Sequence, residues 1–213
     1  SPKNKSWYNS DGMTLEYTPR DNSHHFSNCS LNLNLKLNQT ETVVTDNGQN
    51  NFTVNYLNEG SYNWSINCSD YAGNSNISET WQFYVDRTKP NINLITPVNS
   101  YNSSSDEINF NFTTTDNIAP TLLSNITLDG KTNNTNPITA QNGTYTNYTI
   151  QGITEGNHTW NISCIDNASN LNTSITKTFT IDTTKPTITL NHPENNTWLN
   201  NSQTQMNYTP EDT

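Results

Sequence analysis

At 213 residues, with only 30% hydrophobic and 13% charged side chains, the chain is too polar for one large core, and two thin modules suit it better. Its net charge of −10, from 19 acidic and 9 basic residues, excludes the cationic surface that nucleic-acid binding requires. No run reaches the roughly 20 apolar residues that span a bilayer, and a 10% aromatic content with regular alternation argues against disorder.

The chain opens on Ser1, not Met, as expected after removal of a leader or for a window on a longer protein. A first segment, Pro2 to Trp7, leads to a strand ending at Tyr17, followed by Thr18, Pro19, Arg20 and Asp21. A second strand carries Cys29, Leu31 and Leu33. Leu57, Gly60 and Tyr62 then form the pattern of a tyrosine corner, where a Tyr hydroxyl bonds back to the chain at a Greek-key crossing. The strand that follows alternates Tyr62, Trp64, Ile66 and Cys68 inward with Asn63 and Asn67 outward. Asp70 and Asn74 close it, and Val85 to Pro90 ends the unit.

All of this returns 96 positions later. Gly60, Trp64, Cys68, Asp70 and Asn74 recur as Gly156, Trp160, Cys164, Asp166 and Asn170, and Asp86 to Pro90 recurs as Asp182 to Pro186. Strands in the second copy are predicted at 92–95, 108–112, 124–128, 148–150, 158–164 and 178–181, with Ile108, Phe110 and Phe112 on one face and Asn109 and Asn111 on the other. His158 replaces the corner Tyr, so that corner must be satisfied differently. A third copy starts at Pro193 and Trp198 and reaches Tyr208, Thr209, Pro210, Glu211 and Asp212, matching the start of the first. No helical period appears, so the fold class is all-β. The predicted units are a module at 1–89 whose opening strand would precede Ser1, a module at 90–185, and 186–213 as two strands of a third module or a strand-donating tail. Either arrangement yields a linear array of copies.

About twenty Asn-x-Ser/Thr acceptors mark the chain. They are Asn4, Asn28, Asn38, Asn51, Asn63, Asn67, Asn76, Asn102, Asn111, Asn125, Asn133, Asn142, Asn147, Asn157, Asn161, Asn167, Asn172, Asn195, Asn200 and Asn207. An Asn- and Thr-rich composition generates some of them by accident, but outward strand positions recur from copy to copy, which suits covalent N-glycans. Such glycans would hydrate a surface with few charges and shield strand edges. Catalytic patterns are lacking: His24 and His25 are adjacent and do not recur, and no nucleophile elbow, phosphate loop or zinc spacing stands out. Trp64 and Trp160 read as core residues.

The run from Gly60 to Asn74, followed by Val85-Asp86-Arg87-Thr88-Lys89-Pro90, resembles immunoglobulin-like, fibronectin type III-like repeats of prokaryotic, especially archaeal, surface proteins and adhesins. The resemblance spans the chain and implies tandem Greek-key β-sandwiches at an extracellular surface, serving as spacers, stalks or adhesive arms. In that fold the Cys29 and Cys68 strands are neighbours, which implies a Cys29–Cys68 disulfide. Ser124 stands where Cys29 would recur, leaving Cys164 as a buried thiol or a site of interchain bridging. The same topology brings Asp86, at the end of one module, toward Asp116 and Asp166 of the next, a set suited to calcium, with Asp182 and Asp212 beginning the following site. The same Asp residues also suit turn closure. The function expected is a non-enzymatic, N-glycosylated filament, stalk or coat whose partners are copies of itself. The alternative is an adhesin arm that grips a surface glycan through loops or exposed aromatics.

Overall fold

Alternating apolar and polar residues make every regular element a strand, and no helix occurs among the described residues, 2–22 and 24–212, of this computed structural model. The second module holds ten strands: β9 (Asn91–Thr96), β10 (Tyr101–Ser103), β11 (Ile108–Thr115), β12 (Thr121–Leu128), β13 (Lys131–Thr132), β14 (Ile138–Gln141), β15 (Tyr145–Ile150), β16 (Gly156–Ile165), β17 (Leu171–Thr173) and β18 (Lys177–Ile181). One sheet runs β15-β11-β9, and the other runs β10-β18-β16-β12-β13, with β14 beside β12 and β17 beside β16. The inner faces meet in a core of Phe110, Phe112, Ile126, Trp160, Ile162 and Phe179. The Phe110 ring meets Trp160 edge-on at 5.0 Å and Phe179 at 5.8 Å. Each such side chain contributes on the order of 2–3 kcal/mol by leaving water.

The first module repeats this layout with one strand fewer. Its elements are β1 (Ser6–Tyr8), β2 (Met13–Tyr17), β3 (Phe26–Leu33), β4 (Lys36–Glu41), β5 (Asn50–Val54), β6 (Gly60–Asp70), β7 (Ser75–Ile77) and β8 (Trp81–Val85). The larger sheet runs β1-β8-β6-β3-β4, while the other has only β2 and β5. Leu15, Leu31, Phe52, Trp64, Ile66 and Phe83 fill its core. Beyond the second module lie β19 (Thr187–His192) and β20 (Asn207–Glu211), a two-stranded ribbon with every residue exposed.

The six strands expected in the second copy are present, each extended by one to three residues at one or both ends. The expected alternation holds in β11, where Ile108, Phe110 and Phe112 are buried and Asn109 is exposed. The two- and three-residue strands β10, β13 and β17 and the four-residue β14 carry too little alternation to announce themselves. The expectation that Asn67 and Asn161 face solvent fully needs correction, because a flanking short strand, β7 or β17, leaves each half-buried.

Gly60 and Gly156, which open β6 and β16, hold φ at +143° and +115°, a region that a side chain disfavours. This backbone requirement explains why Gly starts both copies of that strand. The corner behind it forms as anticipated in the first module, where the Tyr62 hydroxyl donates to the Asn58 carbonyl at 3.0 Å. In the second module His158 takes over: Nε2 reaches the Thr154 carbonyl at 2.8 Å and Nδ1 reaches Asp129 Oδ2 at 2.7 Å. Burial opposes charge on His158, but these two acceptors outweigh it and raise its pKa.

Candidate cation site at the module junction

Asp86 directly follows β8, and its backbone amide donates to the Tyr8 carbonyl at 2.8 Å, which anchors the strand end. Asp116 directly follows β11 and Asp166 directly follows β16. The linker 87–90 therefore delivers one carboxylate of the first module between two loops of the second. Side-chain oxygens of the three residues lie within 4.8 Å of one another. Asp86 is 0% exposed and Asp166 is 7% exposed.

Most of the carboxylate oxygens have protein donors. Asp86 Oδ1 accepts from the Thr88 amide at 3.1 Å, and Asp116 Oδ1 accepts from the amides of Ile118 and Ala119 at 2.9 and 2.8 Å. Asp166 takes the Asn170 amide and side chain, both at 2.8 Å. Asp86 Oδ2 and Asp116 Oδ2 are buried with no donor. An anionic oxygen without a partner in the interior is costly. Burial, then the Asp116 carboxylate, pushes the Asp86 pKa up to about 6.

A cation meets that demand. Calcium binds oxygen at about 2.3–2.6 Å, so two of its ligands stand up to about 5 Å apart, whereas magnesium at about 2.1 Å holds them within roughly 4.2 Å. The separations here fit the larger ion. With no His or Cys in the cluster, the donors are hard oxygens, which disfavours zinc and copper.

Amides surround this cluster and tie the modules together. Asn170 Nδ2 donates to the Asp86 carbonyl at 2.9 Å, and Asn172 Nδ2 donates to the Pro90 carbonyl at 2.8 Å. Glu59 accepts from the Arg87 amide, the Thr88 hydroxyl and, across the junction, Asn117 Nδ2, at 2.8 to 3.0 Å. Glu155 holds Thr183 as Glu59 holds the linker. Sequence reasoning passed over Glu59, Asn170 and Asn172, although Glu59 recurs as Glu155 and Asn74 as Asn170 at the same 96-residue spacing.

Cys29 and Cys68 face each other on β3 and β6 and are disulfide-bonded, with Cα atoms 4.0 Å apart. Ser124 and Cys164 occupy the matching cross-strand pair on β12 and β16. Cys164 is a buried free thiol, and burial raises its pKa. None of the acceptor Asn residues is buried. Asn142 differs from the rest, because its amide nitrogen donates to both the Asp116 and Ala119 carbonyls, at 2.7 and 2.8 Å, while its Oδ1 accepts the Asp116 amide. It holds the loop that presents Asp116. His24 is exposed and bonds Asp46. No helix among the described residues is long and apolar enough to cross a membrane.

Comparison with known proteins agrees with this architecture. Residues 3–87 match the model of a bacterial Ig-like domain, and residues 46–151 match that of a bacterial Ig-like domain of group 3. The chain is a tandem of immunoglobulin-like repeat domains. The group 3 match starts within the first module and crosses the junction into the second. Among solved structures, the fibronectin(III)-like modules of Clostridium thermocellum CbhA superpose with a TM-score of 0.51 at 15% identity, covering 85% of this chain and 91% of theirs. Domains FN1 to FN3 of chicken CNTN1 give 0.44 at 13% identity, with 84% and 66% coverage. A bacterial ice-binding adhesin gives 0.39 at 17% identity, with 87% and 63% coverage. No curated protein matches the sequence.

Proposed function

We propose that these Ig-like repeats form a non-enzymatic, extracellular structural element, a length of cell-surface filament, stalk or coat whose module junctions are stiffened by calcium and whose sides carry N-linked glycans. The reading rests on the junction. A buried, donorless carboxylate of one module, Asp86 Oδ2, stands among Asp116 and Asp166 of the next. A freely swivelling linker would leave that charge in water, so burying it makes sense only where a cation joins the modules. The exposure of the acceptor amides, several of them on outward strand positions such as Asn51, Asn63, Asn147 and Asn157, supports the glycan part.

The test is small-angle scattering of the chain with calcium and with chelator. The expected result is a single extended conformation in calcium and a broadened distribution of inter-module angles after chelation. Equal scattering in both conditions, with no heat of calcium binding, would overturn the cation-stiffened array. Glycopeptide mapping of native material tests the coat. An adhesive arm is the second reading, favoured by the exposed rings of Tyr56, Tyr71 and Tyr145. A glycan array probed with the chain and with its Tyr→Ala variants would separate the two.

A further inference from the structure

The first module presents an empty version of the seat that the second module has filled. In the second module the segment 86–96 enters with Asp86 beside Asp116 and Asp166, gives its carbonyls to Asn170 and Asn172, and continues as β9 against β11 with Leu94 opposite Phe112 and Ile92 opposite Thr114. Each receiving group has a counterpart in the first module. Tyr17 stands for Phe112, Asp21 for Asp116, Asp70 for Asp166, Asn74 for Asn170 and Asn76 for Asn172. Asp70 and Asn74 are already paired as Asp166 and Asn170 are, with both bonds at 2.8 Å. All five counterparts line one cavity of about 800 Å³, backed by Trp64 and Ile66, along the edge of β2 that no strand covers.

The same chain also carries a strand of the right kind with nothing to pack on. Residues 182–192 repeat 86–96, from Asp182 through Pro186 into β19. Leu94 is 8% exposed in its seat, whereas its counterpart Leu190 is 82% exposed and Ile188 is 66% exposed. In the β19-β20 ribbon, Leu190 pairs with Tyr208, Thr189 with Thr209 and Ile188 with Pro210. The first module offers the same tripeptide, Tyr17-Thr18-Pro19, at its open edge. Moving β19 from β20 to that edge exchanges like ladder partners and adds apolar burial that the ribbon cannot supply.

We propose that residues 182–192 of one copy dock on the first module of a second copy, with β19 as the missing strand beside β2 and Asp182 joining Asp21 and Asp70. The mode is strand addition at a sheet edge, and it rests on the array reading above by making every junction of a head-to-tail array alike. Residues 193–212 duplicate strands that the recipient already owns and stay outside the joint.

Sedimentation velocity of the full chain in calcium tests this, together with Leu190→Asp, a change at an exposed ribbon position that leaves both module cores intact. The expected result is concentration-dependent head-to-tail oligomers for the parent and monomers for the variant. In a Cys164→Ser background, Thr18→Cys combined with Thr189→Cys should give a covalent ladder on oxidation, because the register places these residues opposite each other. A parent that stays monomeric while binding calcium overturns the strand exchange and leaves the stiffened junction standing. Oligomers that persist in Leu190→Asp without a ladder also overturn it.

Discussion

Asp86→Asn isolates the electrostatics of the junction. Asn keeps an Oδ1 to accept the Thr88 amide, removes one of three clustered negative charges, and brings an amide toward the donorless Asp116 Oδ2. The Asp86 pKa rises from 3.8 to about 6 through burial and the neighbouring carboxylates, which corresponds to about 3 kcal/mol of destabilisation when the group is ionised, at roughly 1.4 kcal/mol per pKa unit. The folded protein binds the proton more tightly than the unfolded chain, so without calcium, stability falls as pH rises from 3.8 to about 6 and stays low above that. At pH 8 in chelator, the variant should therefore be more stable than the parent by about 3 kcal/mol. Calcium at a hundredfold excess over Kd adds about 2.7 kcal/mol to the parent, so the gap closes there and the order reverses at higher calcium. Denaturant unfolding followed by Trp fluorescence, in chelator and in calcium, measures all four values. A variant less stable than the parent in chelator would refute the reasoning, since it would mean that the Asp86 carboxylate is satisfied without a cation.

His158 has a raised pKa, so its contribution should be complete below its unfolded value of about 6.5 and lost as pH rises through the folded value. Far-UV unfolding curves between pH 5 and pH 9 should show that loss, and His158→Tyr, which restores the Tyr62 type of corner, should flatten it. Ser124→Cys should oxidise against Cys164, its direct cross-strand partner, and stabilise the second module by up to about 4 kcal/mol for a loop of roughly 40 residues. Thiol titration and non-reducing melts check this, and a variant with both thiols free would contradict the shared register. Asn142 should be bare in glycopeptide maps while Asn147 and Asn157 carry sugar, because both hydrogens of its amide are held by carbonyls.

The repeat made much of this readable in the sequence. Period-two alternation around Trp64 and Trp160 set the core faces, and the 96-residue return of Asp86 as Asp182 marked the module ends. The approach of Asp86, Asp116 and Asp166 followed from the strand order that the fold imposes, and the structure brings those side chains together. Other features were hidden because their signal is weak or shared. Asn142 reads as one more acceptor, although its role is to hold the Asp116 loop. In the first module Asp46 does that work, accepting the Asp21 amide at 2.8 Å, so the function persists while the residue type changes. Asn170 and Asn172 look like two more polar residues in an Asn-rich chain, and only the path of the linker makes them junction donors.

Charge is distributed in a way that gives ends and sides different roles. Acceptor amides face outward along the strands, at Asn51, Asn63, Asn147 and Asn157, whereas the carboxylates of Glu59, Asp86, Asp116 and Asp166 gather at the junction, with Asp21 and Asp70 at the matching front end of the first module. Neutral amides, with or without sugar, let the sides of neighbouring arrays approach without long-range repulsion or attraction. Clustered carboxylates make two module ends repel until a cation is shared between them. A chain built this way keeps its sides indifferent to ionic conditions and makes end-to-end contact conditional on divalent metal. In an alternative with charges scattered evenly over 19 acidic and 9 basic residues, salt would act on sides and ends alike. Monovalent salt should therefore leave the junction nearly unchanged, because buried pairs are screened weakly, while chelation alone should release it.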